Sequence, residues 1–213
     1  SKGISLLHIT DHLWEERTEI VKSMIRYKLG LCEKYHARSG TVCRIHDTQT
    51  VKDFLNANHL QGYTHASINY GLYINGELMS VMTFAKPRFS PEQYEIIRFC
   101  SKTGVSVAGA AGKLLSKFKR DFQPSSIITY SDRSYGLSEF YGTLGFTFSH
   151  ASAPGYMYYK DAALYNRMQF QKHKLAEKLP IYDAKKTEWE NMQTNGYDRI
   201  WDCGVKVWKW FSG

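Results

Sequence analysis

The chain has 213 residues, 43% of them hydrophobic and 15% aromatic, with a formal net charge of +8 and a pI near 9.2. That is enough apolar material for one sizeable core and excludes a disordered chain. The charge points to an anionic partner, nucleic acid being the commonest, with a surface kept basic only for solubility as the plain alternative. No apolar run approaches the ~18 residues of a membrane span, and no signal-peptide pattern opens the chain. Cys32, Cys43, Cys100 and Cys203 lie far apart, and the histidines show no metal-ligand spacing. No zinc set, disulfide framework or structural metal is therefore expected, and a reducing, cytoplasmic setting is favoured.

Residues 4–8 read as a short apolar strand and residues 12–29 as a helix, capped by Thr10 or Asp11 and stopped by Gly30. Residues 31–40 read as a polar connector, Thr41–His46 as a strand, and Thr48–Ala57 as a helix that turns Val51, Phe54 and Leu55 inward. His59 follows beside a glycine-bearing loop. Its unperturbed pKa suits a general base near neutrality; a helix-terminal histidine meeting the last carbonyls is the structural alternative.

Residues 66–74 and 77–86 flank Asn75-Gly76, a type I′ hairpin signal, and Pro87 ends the second strand. Lys86 and Arg88 sit at that strand end, able to meet phosphate or simply be solvated. Next comes a buried strand, Ile96 to Cys100, interrupted by Arg98. A charge there needs a partner, and Asp132 at the end of the adjacent strand, Ser126–Asp132, is the natural one.

After that strand stand Ser106, Val107, Ala108, Gly109, Ala110, Ala111, Gly112 and Lys113. Small residues opening a helix near Ala108 leave room for a ligand, and the free N–H groups of a helix start suit a phosphate. Equally, they can only let the helix lie close to the sheet. A Walker A loop would need glycine at Val107 and a hydroxyl at Leu114, and the dinucleotide glycine spacing is absent, so neither an ATPase nor a nicotinamide enzyme is indicated. The helix runs to about Phe122, with Leu114, Leu115 and Phe118 on its apolar face and Lys117, Lys119 and Arg120 toward its end.

Leu137–Phe146 reads as a short helix turning into a strand, and residues 146–150 and 156–160 as two aromatic strands. A helix over 162–178 carries Arg167, Lys172 and Lys174, and Thr187 with Glu190 forms a capping box. Residues 198–202 and 205–210 read as a hairpin across Cys203-Gly204. Its tryptophans and interleaved cations can stack on bases or cap the sheet.

Two of these stretches together, Ser106-Val-Ala-Gly109-Ala-Ala111 and Tyr141-Gly-Thr-Leu-Gly-Phe146, resemble the A and B motifs of the GNAT (Gcn5-related N-acetyltransferase) superfamily, with Ser106 where that family has Gln or Arg. Asn58-His59-Leu-Gln-Gly62, the hairpin Tyr70–Phe84, Glu95-Ile-Ile-Arg98 and Tyr130-Ser-Asp132 look like the Mom family of phage DNA-modification enzymes, a divergent GNAT branch. The same segments look like the C-terminal region of phage homing endonucleases with a Vsr-like nuclease part. The opening strand and helix resemble the tail of such a nuclease, implying a fragment of a longer chain.

The resemblance implies an α+β fold of GNAT type, a mostly antiparallel central sheet with helices on both faces. Residues 1–40 would be an extension, 41–160 the core, and 161–213 C-terminal helices and an aromatic hairpin packed on it. Acetyl-CoA or a related acyl-CoA would bind over residues 106–113, where the strands of residues 93–102 and 126–131 diverge. His59 or Asp132 would take a proton, Arg98 would orient Asp132 or the substrate, and Tyr141 would act as the acid. DNA would meet Lys86, Arg88, Lys117, Lys119, Arg120, Arg133, Arg167, Lys172 and Lys174. A non-catalytic DNA-recognition module of a homing endonuclease is the competing expectation, and an ordinary acetyltransferase of small amines or proteins a third.

Overall fold

The computed structural model describes residues 6–136 and 139–213. In chain order they form helices α1 (Asp11–Glu16) and α2 (Thr18–Lys28), strands β1 (Glu33–His36) and β2 (Thr41–Arg44), and helix α3 (Thr48–Asn58). Strands β3 (Ile68–Ile74), β4 (Glu77–Ala85), β5 (Tyr94–Ser101) and β6 (Val105–Ala108) lead to helix α4 (Ala110–Phe122) and strand β7 (Ser126–Asp132). Strands β8 (Thr147–Ala151), β9 (Tyr156–Lys160) and β10 (Ala163–Asn166), helices α5 (Leu175–Lys178) and α6 (Glu188–Thr194), and strands β11 (Asp198–Trp201) and β12 (Val205–Phe211) complete the chain.

Seven strands form one sheet in the order β2-β3-β4-β5-β7-β12-β8, and every neighbouring pair is antiparallel except β5–β7. The turn at Asn75-Gly76 has positive φ at both residues (52° and 81°), as the sequence signal requires. Helix α4 covers one face of the sheet, where Leu114, Leu115 and Phe118 meet Tyr70, Leu72, Phe84, Ile96 and Ile127. Phe118 stacks on Phe84 with 3.7 Å between centroids and meets Tyr70 and Tyr94 edge-on. Helix α3, capped by the Asp47 carboxylate, covers the other face by packing Val51 and Leu55 on Ile45 and Val81. The fold is thus α+β with a mixed, mostly antiparallel central sheet between helices.

Several local readings are corrected. The expected helix over 12–29 breaks at Arg17, whose φ of −130° separates α1 from α2. Of the expected strand over 4–8, residues 4 and 5 lie outside the described residues and 6–8 are not strand. Leu137 and Ser138, at the start of the expected short helix, also lie outside them. The polar connector contains β1, which pairs in parallel with β6. Residues 163–166 are strand, because Asp161 and Ala162 both take positive φ (50° and 59°) and turn the chain back onto β9. Residues 198–210 are no hairpin: β11 joins β9 and β10 in a second sheet, whereas β12 enters the central sheet between β7 and β8. Strands β8 and β9 likewise fall in different sheets. Residues 152–204 are therefore an excursion from the central sheet, with a core of their own in Tyr158, Phe170, Leu175, Leu179 and Met192.

No described helix is long and apolar enough to cross a membrane, and the described residues hold no cluster of three metal-ligating side chains. Truncating Phe118 to Ala removes the ring between sheet and helix. We expect a loss of about 3–5 kcal/mol of stability, read as a lowered urea midpoint.

Candidate active site

Strands β5 and β7 run side by side for two residue pairs only, Tyr94 with Ile127 and Glu95 with Ile128. Beyond them β5 stays with β4 and β7 stays with β12, so a wedge-shaped gap opens toward the C-terminal ends of both strands. At the apex the Thr129 hydroxyl donates to the Ile96 carbonyl at 3.5 Å. Tyr141 packs against the core on the α4 side, and burial raises its pKa, so its phenol stays protonated. Phe140 stacks on Phe99 of β5 at 5.8 Å and helps hold the gap apart.

The α3 side of the gap is charged. The chain leaving α3 brings His59 and Gly62 against Arg98, whose Nε donates to the Gly62 carbonyl at 3.3 Å and whose Nη1 donates to Ile97 O at 2.8 Å. Glu95 is the acid that Arg98 feels, and burial raises the Glu95 pKa while Arg98 opposes the rise. The expected pair of Arg98 with Asp132 is absent: the Asp132 carboxylate instead accepts from the Ser134 amide at 2.8 Å and caps the following turn. His59 is driven down to a pKa of about 4, first by burial and then by the charges of Arg98 and Arg17. Its Nδ1 accepts the Gln61 amide at 3.1 Å, so the neutral ring carries its proton on Nε2. That leaves His59 a hydrogen-bond donor with its one lone pair engaged. A half-buried carboxylate of raised pKa is better suited to take a proton, and it is Glu95. The Glu95-x-x-Arg98 spacing was visible in the sequence, but nothing local assigns it to the gap.

The crossover from β5 to β7 places the start of α4 at the open end of the same gap. Ser106, Val107 and Ala108 form strand β6, opposite Lys34, Tyr35 and His36 of β1, rather than a free loop. Gly109 follows at φ +80°, and no side chain caps the helix, so the N–H groups of Ala110, Ala111 and Gly112 at its first turn have no hydrogen-bond partner among the described residues. A Cβ built on Gly109 would meet only the Ala37 methyl, at 3.7 Å. A shallow depression of ≈530 Å³ adjoins it, lined by His36, Ala37, Arg38, Ala108, Gly109 and Lys113. Lys113 is already engaged, its Nζ donating to the carbonyls of Ala37 (2.8 Å) and Gly40. The exposed side chains there are the guanidinium of Arg38 and the imidazole of His36, in the segment read from sequence as a connector. Open helix N–H groups beside a basic depression and a strand gap fit a phosphorylated ligand with a long arm.

Four of the nine cations assigned to DNA are engaged within the chain. Lys117 pairs with Asp121 at 2.7 Å, Lys119 lies over Trp210 at 3.7 Å, Arg167 is 3.6 Å from Glu188, and Lys174 donates to Met168 O at 3.2 Å. Lys86, Arg88, Arg120, Arg133 and Lys172 are exposed and make no ion pair among the described residues. Of these, only Arg133 follows directly on β7 at the open end of the gap.

The sequence matches no protein-family model and no curated protein. Among solved structures, an acetyltransferase from Bacillus subtilis in complex with CoA is 14% identical over 82% of this chain and 99% of its own, with a TM-score of 0.49. A GNAT family acetyltransferase from Elizabethkingia anophelis with acetyl-CoA bound is 12% identical over 82% and 99%, with a TM-score of 0.43. An IAA acetyltransferase from Bacillus cereus is 13% identical over 82% and 100%, with a TM-score of 0.44. At these identities no residue role passes from one chain to the other.

The His59 shift has a pH consequence with a definite sign. The unfolded chain binds more protons than the folded one between its ordinary 6.5 and about 4. The contribution to stability is complete above the upper value and is lost as pH falls through the lower, at most about 3 kcal/mol. By NMR the ring should show no inflection near neutrality and one near pH 4. Arg98→Ala should move that inflection upward.

Proposed function

We propose that this chain is an acyltransferase of the GNAT type that carries an acyl group from acetyl-CoA or a related acyl-CoA to an amine on DNA, in the manner of the Mom enzymes. The observation that supports it is the combination of three features along the parting of β5 from β7: the gap itself, the uncapped start of α4 beyond its open end, and Glu95 with Arg98 on the α3 side, Glu95 at the last paired position before the strands separate. Bound acyl-CoA would supply a thioester, an acyl group already activated toward an amine. The N–H groups of Ala110, Ala111 and Gly112, with His36 and Arg38, would hold its phosphates. The facing edges of β5 and β7 would offer main-chain donors and acceptors to its arm.

Glu95 takes the proton of the incoming amine, Arg98 keeps that carboxylate charged enough to do so, and Tyr141 keeps a proton on Oη for the departing group. DNA as the acceptor rests on the net charge of +8 and on Arg133 at the mouth of the gap. A base amine in a duplex would have to leave the stack to enter. One observation favours the cofactor-free recognition module: residues 106–108 are tied into a strand with β1, leaving fewer main-chain donors for phosphate than an open loop would.

Calorimetry separates the two. CoA should bind, and Ala108→Glu, which puts a carboxylate at an exposed position beside the start of α4, should weaken it about tenfold or more. Absence of any CoA heat would remove the transferase and leave the module.

Tyr141→Phe should retain CoA binding and lower turnover by about 10²–10⁴. Nucleosides from DNA co-expressed with the active chain should show a new base mass that is missing with the variant; unmodified DNA alongside acyl transfer to a small amine would move the acceptor away from DNA.

A further inference from the structure

We propose that the loop joining β4 to β5 is a second nucleic-acid contact, at the end of the sheet opposite the gap. There Phe89 would stack on an unpaired base while Lys86, Arg88 and Arg120 hold the neighbouring phosphates. It rests on the DNA reading above and adds to it a place and a residue, Phe89, that the acyl transfer does not use.

Phe89 is 91% exposed, the most exposed of the large hydrophobic side chains among the described residues. A ring so placed contributes almost nothing to folding, and it is flanked by Lys86 and Arg88, the latter 5.5 Å from its centroid. The loop beneath it is not loose. Glu92 is buried, lies 2.6 Å from Lys209 Nζ on β12, and accepts from the Ser90 hydroxyl. Gln93 accepts the Ser125 amide at 2.7 Å and donates its own amide to Ser126 Oγ at 3.0 Å. A projecting aromatic on a base tied to two core strands is pre-organised, so holding it against a partner costs little entropy.

Topology collects charge at the same end. β4 runs antiparallel to β5, and α4 returns from the far end, so Lys86, Arg88 and the last turn of α4 with Arg120 come to one side. Arg44 reaches there too, over Phe122 at 5.4 Å. Of the nearby acids, Glu92 is committed to Lys209, Asp121 to Lys117 and the Tyr70 hydroxyl, and Glu95 feels Arg98. What remains is a positive surface with one protruding ring. Base–aromatic stacking beside cations is how a single strand is held without sequence preference. The eight residues of β5 put about 26 Å between this loop and the open end of the gap, beside the start of α4. A strand touching both would need about eight nucleotides at 3.4 Å each.

The test is fluorescence anisotropy of a labelled 20-nucleotide single strand and the matching duplex, titrated with the full chain over a range of salt. Phe89→Ala should weaken single-strand binding about tenfold and leave the salt slope unchanged. Lys86→Ala and Arg88→Ala should each lower that slope by about 0.7. All three variants should bind CoA as the parent does, which shows that they are folded. If the parent binds nucleic acid and the variants match it, the loop proposal is overturned while the DNA reading stands. If the parent binds no nucleic acid, the DNA reading falls and takes the loop with it. Loss of binding to phosphatidylserine vesicles in the variants, with nucleic-acid binding intact, would overturn the proposal in favour of an anionic lipid surface.

Discussion

The parting of β5 from β7 after two residue pairs is the constraint on which the rest of the molecule depends. Each strand has a full-length partner on its other side, β4 for one and β12 for the other, and those ladders carry the hydrogen bonding that the two strands do not give each other. A parallel pair inside an otherwise antiparallel sheet also requires a crossover, and a right-handed one must pass over the face of the sheet. That crossover is β6 and α4. Its geometry makes α4 begin where the gap is widest and end where the strands are closest. The anion-friendly helix start, the gap and the large aromatic core under α4 are therefore one arrangement seen from three sides.

The two walls of the gap divide the chemistry between them. On the α4 side Phe99, Phe140 and Tyr141 make it apolar, and the phenol beside Thr129 is kept neutral by burial. On the α3 side two arginines crowd His59 and suppress its charge, while Glu95 keeps a proton more readily than an exposed carboxylate. Burial thus raises the proton affinity of both the phenol and the carboxylate, while Arg98 opposes the rise at Glu95 alone. Arg98 connects strand to loop: its guanidinium binds the Gly62 carbonyl as well as facing Glu95, so the charge that tunes the carboxylate also holds the histidine loop in place.

The excursion over 152–204 is held together differently. Its sheet closes on α6 through a box of aromatic rings, with the Arg199 guanidinium 4.3 Å from the Tyr156 centroid and 4.1 Å from that of Trp189. Arg199 Nε is buried without a hydrogen-bond partner. Ring faces serve there in place of an ion pair. Glu188 instead accepts from the hydroxyls of Tyr156 (3.2 Å) and Tyr158 (2.7 Å). With its own core, this unit lets the chain leave the main sheet after β8 and return as β12 without exposing the edge of β7.

Local signals in the sequence were read correctly where one short stretch contains the whole cause. Asn75-Gly76 makes its turn, Thr187 and Glu190 complete both halves of a capping box, and Leu114, Leu115 and Phe118 face the sheet because helical spacing leaves them no other side. The glycine-bearing start of α4 and the strand carrying Arg98 were legible for the same reason. Partnership was not legible. Nothing near Glu33 says that it pairs beside residue 105, nothing near Val205 says that β12 enters the middle of the sheet, and the positive φ of Asp161 and Ala162 has no glycine or asparagine to announce it. Asp132 looked free to meet Arg98 until the Ser134 amide claimed it. By itself the sequence determined the period of each element, its caps and its apolar face, because those depend on neighbours a turn or a pleat away. Only the tertiary structure decided which strands meet and which charges face each other, because those contacts close long loops and are settled by the burial of the whole core.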